Sequence, residues 1–229
     1  MKFLHLVPAL SSLLLASLVA GDKLVTSSDG VEHILPDIYE DRDITIPSGE
    51  VITLRFWGNI TFLPGPALAP PPPPPSLKRR RAQLNDPTAS SNVKRYDWVG
   101  TGGQSDQCGN EGQWSCNTSG GSPSESDCQE MGYSVGFNNG YWRFTPSDMP
   151  VGNYRTIVTR GSCAFGFGLS VTACNSVNLG NQDVRDLIRD SSPKCASGGR
   201  LGSKGDQLFC RSEAQNQGQC WTRWAIYHS

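Results

Sequence analysis

The apolar positions of this chain change period along its length. Leu4 to Val19 is apolar apart from His5 and serines, with Lys2 before it and the small residues Ala20 and Gly21 after it. A basic start, a short apolar run and a small-residue end mark a secretory signal peptide over 1–20. The run is too short to span a bilayer, and no other segment approaches the ~20 apolar residues that a span requires. Ile44 to Phe62 alternates, with Val51, Thr53, Arg55 and Trp57 on one side, which suits a hairpin. Beyond it the stretch "PGPALAPPPPPPSLKRRRAQLNDPTASSNVKR" has no usable period. Its proline run favours an extended polyproline II rod, and the polar residues that follow have little to bury.

Downstream, two helical patterns stand out. Ser122-Pro123-Ser124-Glu125 reads as a capping box with proline in the first turn. That helix carries Cys128 and Met131 on its inner face and is expected to stop near Gly132. The second is capped by Asn181, has Asp183 in its first turn and buries Val184, Leu187 and Ile188, with Asp186 and Arg189 outward. Ser192-Pro193 should end it. Strands are expected at 141–145, 154–159, 163–171, 176–179, 207–211 and 221–227. In the last, Thr222, Trp224 and Ile226 face one way and Trp221, Arg223 and Tyr227 the other. Gly166 and Gly168 alternate with Phe165, Phe167 and Leu169, so something bulky, such as a helix, should approach that strand closely. Segregated helices among strands make the class α+β.

Cysteine usage sharpens this picture. All eight cysteines (Cys108, Cys116, Cys128, Cys163, Cys174, Cys195, Cys210 and Cys220) lie in the C-terminal part. An even number in an exported chain reads as disulfides, whose pairing the sequence leaves open. No Cys-x-x-Cys occurs and the histidines are only His5, His33 and His228, so no metal site and no cofactor are expected. Lysines and arginines number 20 against 21 acids, a balance that points away from nucleic acid and anionic membrane surfaces.

The basic clusters Lys78-Arg79-Arg80-Arg81 and Lys94-Arg95 interrupt the polar tail. In a secretory chain such runs are sites for a kexin-type processing protease of the secretory pathway. The expected organisation is a signal peptide over 1–20, a pro-segment over 21–95 with its proline-rich linker, and a mature domain over 96–229 released by cleavage after Arg95. Asn59 and Asn117 each begin a glycosylation sequon.

"TSGGSPSESDC" (118–128), "GSCAFGFGL" (161–169), "LGNQDVRDLIRDS" (179–191), "GGRLGSKGDQLFC" (198–210) and "WTRWAIYH" (221–228) occur in this order. Together they resemble the necrosis-inducing factor domain, the family of extracellular protein 2-type secreted effectors of plant-pathogenic fungi, over about 108–228. The resemblance implies a small disulfide-stapled two-layer sandwich, an antiparallel sheet with two helices, similar to fungal killer toxins. The family's four cysteines map onto Cys108, Cys128, Cys163 and Cys210. Cys116, Cys174, Cys195 and Cys220 depart from that pattern, and a Cys174–Cys195 bridge across the second helix is the pairing that topology suggests for two of them.

The function implied is binding rather than catalysis. The target would be a host extracellular or membrane protein or a cell-wall glycan, and the outcome host cell death or altered defence. The mature region holds one histidine, His228, beside the C-terminus, and oxidised cysteines supply no thiolate. Carboxylates remain as hydrolase candidates: Asp127 with Glu130, or Asp183 with Asp186 and Asp190. A killer-type antimicrobial toxin and a glycan-active hydrolase are the alternatives. Trp142 and Trp224 are expected in the core. Trp98 and Trp114, in glycine-rich polar context, are expected at the surface as a binding patch.

Overall fold

A computed structural model of the chain describes residues 23–63, 95–110, 112–145, 147–149, 151–170, 174–212 and 219–229. The expected signal peptide, the Lys78–Arg81 cluster and Lys94 lie outside the described residues.

The segment read as a pro-segment folds. It forms β1 (Lys23–Thr26), β2 (Glu32–Leu35), β3 (Tyr39–Thr45), β4 (Val51–Trp57) and β5 (Asn59–Leu63). β1 and β2 make an antiparallel hairpin, and β3 and β4 make another. The second turns at Gly49, whose φ of 85° favours a residue without a Cβ. β3 is charged (YEDRDIT), yet its register on β4 sets Asp41 opposite Arg55 and Asp43 opposite Thr53. Each acid takes a hydrogen bond from its partner. Cross-strand pairing supplies what the missing apolar alternation does not.

The rest of the chain forms β6 (Arg95–Gly100), β7 (Cys108–Asn110), β8 (Gln113–Cys116), α1 (Glu125–Phe137), β9 (Gly140–Phe144), β10 (Tyr154–Arg160), β11 (Cys163–Leu169), β12 (Val177–Gly180), α2 (Asn181–Cys195), β13 (Ser203–Arg211) and β14 (Gln219–His228). The larger sheet runs β1-β2-β10-β11-β14-β13-β7, with β8 also on β13. The outer edge of β10 is divided. Tyr154 and Arg155 pair with β2 in parallel, whereas Val158 and Thr159 pair with β4 antiparallel. The smaller sheet runs β12-β9-β6-β5, with β5 parallel to β6. The molecule is α+β and both sheets contain strands from the N-terminal segment.

One core results. Ile44, Ile46, Ile52, Leu54 and Phe56 belong to the same buried cluster as Trp142, Phe165, Phe167, Met131, Ile188 and Trp224. Trp98 is in it too, 3% exposed, against the surface position expected for it. Its ring meets Trp142 edge-on at 4.6 Å and Phe56 at 6.3 Å. Gly140 leaves space for the indole: a Cβ there would stand 2.7 Å from the Trp98 ring. A second cluster (Val31, Tyr154, Ala164, Ala225 and Tyr227) covers the other face of the sheet. This explains why Tyr227, alternating away from Trp224, is also fully buried. The bulk that approaches Gly166 is the Tyr227 ring, 2.7 Å from a hypothetical Cβ, and not a helix.

Both helices outlast their expected ends. α1 is capped at Ser124, not Ser122, and continues past Gly132 to Phe137. Gly132 is a packing residue here: a Cβ on it would lie 3.0 Å from Ile188 of α2, so its absence lets the helices close up. α2 runs to Cys195 and takes Pro193 into its last turn. Cys128 and Met131 face inward, as their spacing predicts. Among the described residues no helix is long and apolar enough to cross a membrane.

Four disulfides join Cys108–Cys210, Cys116–Cys195, Cys128–Cys163 and Cys174–Cys220. The four cysteines mapped by resemblance pair among themselves, and so do the four departures. Cys195 reaches β8 and Cys174 reaches β14, so the suggested Cys174–Cys195 bridge is replaced by two longer-range ties. Removing one native bridge of this kind typically costs about 2 to 5 kcal/mol.

Since Phe56 is fully buried in the shared core, Phe56→Ala should lower the unfolding free energy by about 3–5 kcal/mol in urea titrations. A change below about 1 kcal/mol would place β4 outside the cooperative unit.

Candidate functional site

A cavity of about 480 Å3 opens where the N-terminal segment meets the β10–β11 turn. That volume is in the range of small-ligand pockets. β1, β2 and β4 supply one wall through His33, Arg55 and Trp57. β10 and the C-terminal end of β14 supply the other through Thr156, Thr159 and His228. None of these residues is near its cross-wall neighbour in sequence, and both walls are needed to enclose the space.

Each side chain is held. His33 is buried (4% exposed), and its Nδ1 is 3.2 Å from the Val31 carbonyl, which fixes that nitrogen as the donor. Burial lowers its pKa, so the ring is neutral at neutral pH. Its face lies 4.4 Å from the Tyr227 ring. The Tyr227 hydroxyl is 2.8 Å from Thr156 Oγ1, and complete burial pushes its pKa far above the usual phenol range. Trp57 Nε1 donates to Thr159 Oγ1 at 3.1 Å. Arg55 donates to both oxygens of Asp41, at 2.8 and 3.1 Å, and sits 4.0 Å above the Tyr39 ring. His228 Nδ1 lies 3.1 Å from the Ser229 carbonyl. The lining therefore combines the neutral His33 imidazole, hydroxyls and an indole with the apolar Val25, Leu35 and Ala164, and its guanidinium is already neutralised by a partner. It suits a neutral, hydrogen-bonding ligand better than a charged one.

A second, smaller cleft of about 150 Å3 lies at the start of α2, lined by Asp106, Asp183, Asp186, Asp190 and Arg189. Asp183, Asp186 and Asp190 are each hydrogen-bonded within the fold. Asp183 accepts from the backbone N–H groups of Gly180 (2.6 Å), Gln107 (3.0 Å) and Cys108 (3.1 Å), and so ties the loop before β7 to the helix N-terminus. Asn181, expected as the cap, instead accepts from Ser105 N–H at 2.7 Å and donates to the Gly136 carbonyl at 2.9 Å. Arg189 bridges Asp186 and Asp190. Burial and the adjacent Asp106 carboxyl push Asp183 up to about 8, against the pull of its backbone donors.

The other carboxylates raised as hydrolase candidates are also engaged. Asp127 accepts from the Ser162 N–H and hydroxyl, each at 2.7 Å, and those bonds hold its pKa below the usual carboxylate range. Glu130 pairs with Arg160 at 2.8 Å. Trp114 is half-buried, edge-on to Trp224 at 4.9 Å with Lys194 Nζ 4.0 Å above its ring. It thus packs on the core beneath a cation, while Trp98 is inside, and the two form no surface patch. Asn117 lies where β8 meets the loop before α1, its Oδ1 buried. Thr118, the middle residue of that sequon, donates its hydroxyl to the Cys195 carbonyl at 2.6 Å. Asn59 begins β5, in register with Arg95 at the start of β6. His33, Arg55, Trp57 and Thr159 were missed. Alternation had placed Arg55 and Trp57 on one face of a strand, but nothing linear linked them to Thr159 or His228.

Residues 107–208 match the Hce2 family model, described as "Pathogen effector; putative necrosis-inducing factor". A relative from Penicillium expansum, named probable chitinase LysM18, is 28% identical over 111 residues. The match covers 48% of this chain and 7% of that relative, so the chain spans a small part of its length. No solved structure matches the chain.

Asp183 gives a pH signature. Its folded pKa of about 8 lies above the ordinary 3.8, so its contribution is fully favourable below pH 3.8 and is lost as pH rises through 8. Over that window the wild type should lose stability by at most about 1.4 kcal/mol per pH unit relative to Asp183→Asn. Thermal unfolding of both proteins from pH 4 to 8.5 checks this, and parallel curves would contradict it.

Proposed function

From the match of residues 107–208 to the Hce2 model of pathogen effectors, we propose that the protein is a secreted fungal effector that acts by binding a host plant component. The consequence is host cell death or altered defence. The family match over the disulfide-stapled region carries this reading. Four disulfides support export, since such bonds persist in oxidising compartments. The capping and ion-pair roles of Asp127, Glu130 and Asp183 support binding over hydrolysis. Export would be directed by the signal peptide, and the basic clusters are read as processing sites and Asn59 and Asn117 as glycan acceptors.

A second reading is recognition of a wall glycan. The chitinase-named relative favours it, and so does the neutral hydroxyl- and indole-lined cavity. A killer-type toxin aimed at competing microbes, with the two-layer architecture that resemblance implies, is the third.

Purified protein infiltrated into leaves should cause lesions or altered defence responses at doses that leave microbial cultures growing. Stalled microbial growth with unaffected leaves would replace the effector reading with the toxin reading. Release of soluble sugar from chitin or glucan, lost in Asp127→Asn or Glu130→Gln, would overturn the non-catalytic reading.

A further inference from the structure

The N-terminal segment and the disulfide-stapled region are held together in different ways. Every cysteine lies between Cys108 and Cys220, so no disulfide ties residues 23–63 to the remainder. Their only covalent connection is the backbone between Leu63 and Arg95. Everything else that joins them is strand pairing and packing, and it is extensive. β2 and β4 share the outer edge of β10, and β5 lies along β6. Ile52, Leu54 and Phe56 enter the core that contains Trp98 and Trp142. Val31 and His33 cover Tyr227 on the opposite face. Polar contacts lock the seam: Trp57 Nε1 donates to Thr159, and Ser28 Oγ donates to the Gly121 carbonyl at 2.6 Å. Gly121 has to be glycine for this approach, because a Cβ there would overlap the Ser28 carbonyl.

We propose that residues 23–63 are a non-covalent subunit of this protein, seated on a docking surface made by the β10 edge, β6 and the rings of Trp98 and Trp142. Severing the backbone between Leu63 and Arg95 leaves a two-chain complex instead of releasing a pro-peptide. Removing the segment would bare both the edge of β10 and the Trp98 ring, and an open edge beside apolar surface is an aggregation hazard that native folds avoid.

The same arrangement bears on where the chain can be cut. Arg95 is the first residue of β6, where Arg95 and Tyr96 pair with Asn59 and Ile60 of β5, and β9 joins on the other side from Asp97 onward. Cleavage after Arg95 requires the backbone that follows it to leave the ladder, since proteolysis selects backbone that is free of burial and hydrogen bonding. In the folded protein the Arg95–Tyr96 bond is therefore shielded. Hydrolysis of the backbone between Leu63 and Arg95 leaves a carboxylate on the N-terminal chain and an ammonium on the C-terminal one.

The test uses the full secreted chain with a recognition site for a sequence-specific protease replacing Lys78–Arg81. After complete cleavage, both chains should co-elute in size exclusion at the position of the uncut protein. They should separate into two bands on a denaturing gel run without reductant. Elution of the N-terminal chain apart from a folded C-terminal chain would overturn the proposal. In the cut protein, Phe56→Ala should raise the dissociation constant of the two chains by about a hundredfold or more. A kexin-type protease added to the native, unsubstituted chain should leave the Arg95–Tyr96 bond intact and cut it once the chain is reduced and denatured. A native product beginning at Tyr96 would refute the shielding. These readouts follow assembly alone, so they stand or fall separately from the effector reading.

Discussion

The structure depends on the seating of β4 against the edge of β10, with Leu54 and Phe56 behind it in the core. Val158 of β10 stands opposite Phe56 in register, and the Phe56 ring meets those of Trp98 and Trp142. This one strand shares the outer edge of β10 with β2, covers the aromatic residues of the smaller sheet and places Arg55 and Trp57 in the wall of the cavity. Each buried ring of this size contributes about 1.5–3 kcal/mol from removal of apolar surface. Loss of the strand would therefore unmake the site as well as the core.

The disulfides address a different problem. They link β7 to β13, β8 to the end of α2, α1 to β11, and the loop before β12 to β14. Both helices and the central strands are thus fixed to one another in a region whose unfolded chain would otherwise be long and free. The N-terminal strands carry no such staple and are held only by complementary surface. A covalent frame with a non-covalent cover places the cavity at the seam between the two, where His33 and Trp57 face Thr156, Thr159 and His228.

What could be read beforehand follows from how local each signal is. α1 and α2 showed in their apolar spacing, and β10, β11 and β14 showed in theirs, because periodicity is carried by neighbours in sequence. Even there the ends moved: Gly132 reads as a stop until Ile188 from another helix is seen to lie against it. β3, with its acids and arginine, carries no apolar pattern and becomes a strand through its partner β4. Trp98 looked exposed because its burial is produced by Phe56 and Trp142, remote in sequence. The disulfide partners and the cavity are likewise long-range. The shared edge of β10 was the least legible feature, since neither β2 nor β4 announces which strand it will meet.

Hydrogen–deuterium exchange on the intact protein tests the central claim most directly. If residues 23–63 are part of one cooperative fold, the backbone amides of β4 that lie in the sheet should exchange as slowly as those of β10 and β11, and should lose protection together with them as denaturant is added. Rapid exchange across β4 while β10 and β11 remain protected would contradict it.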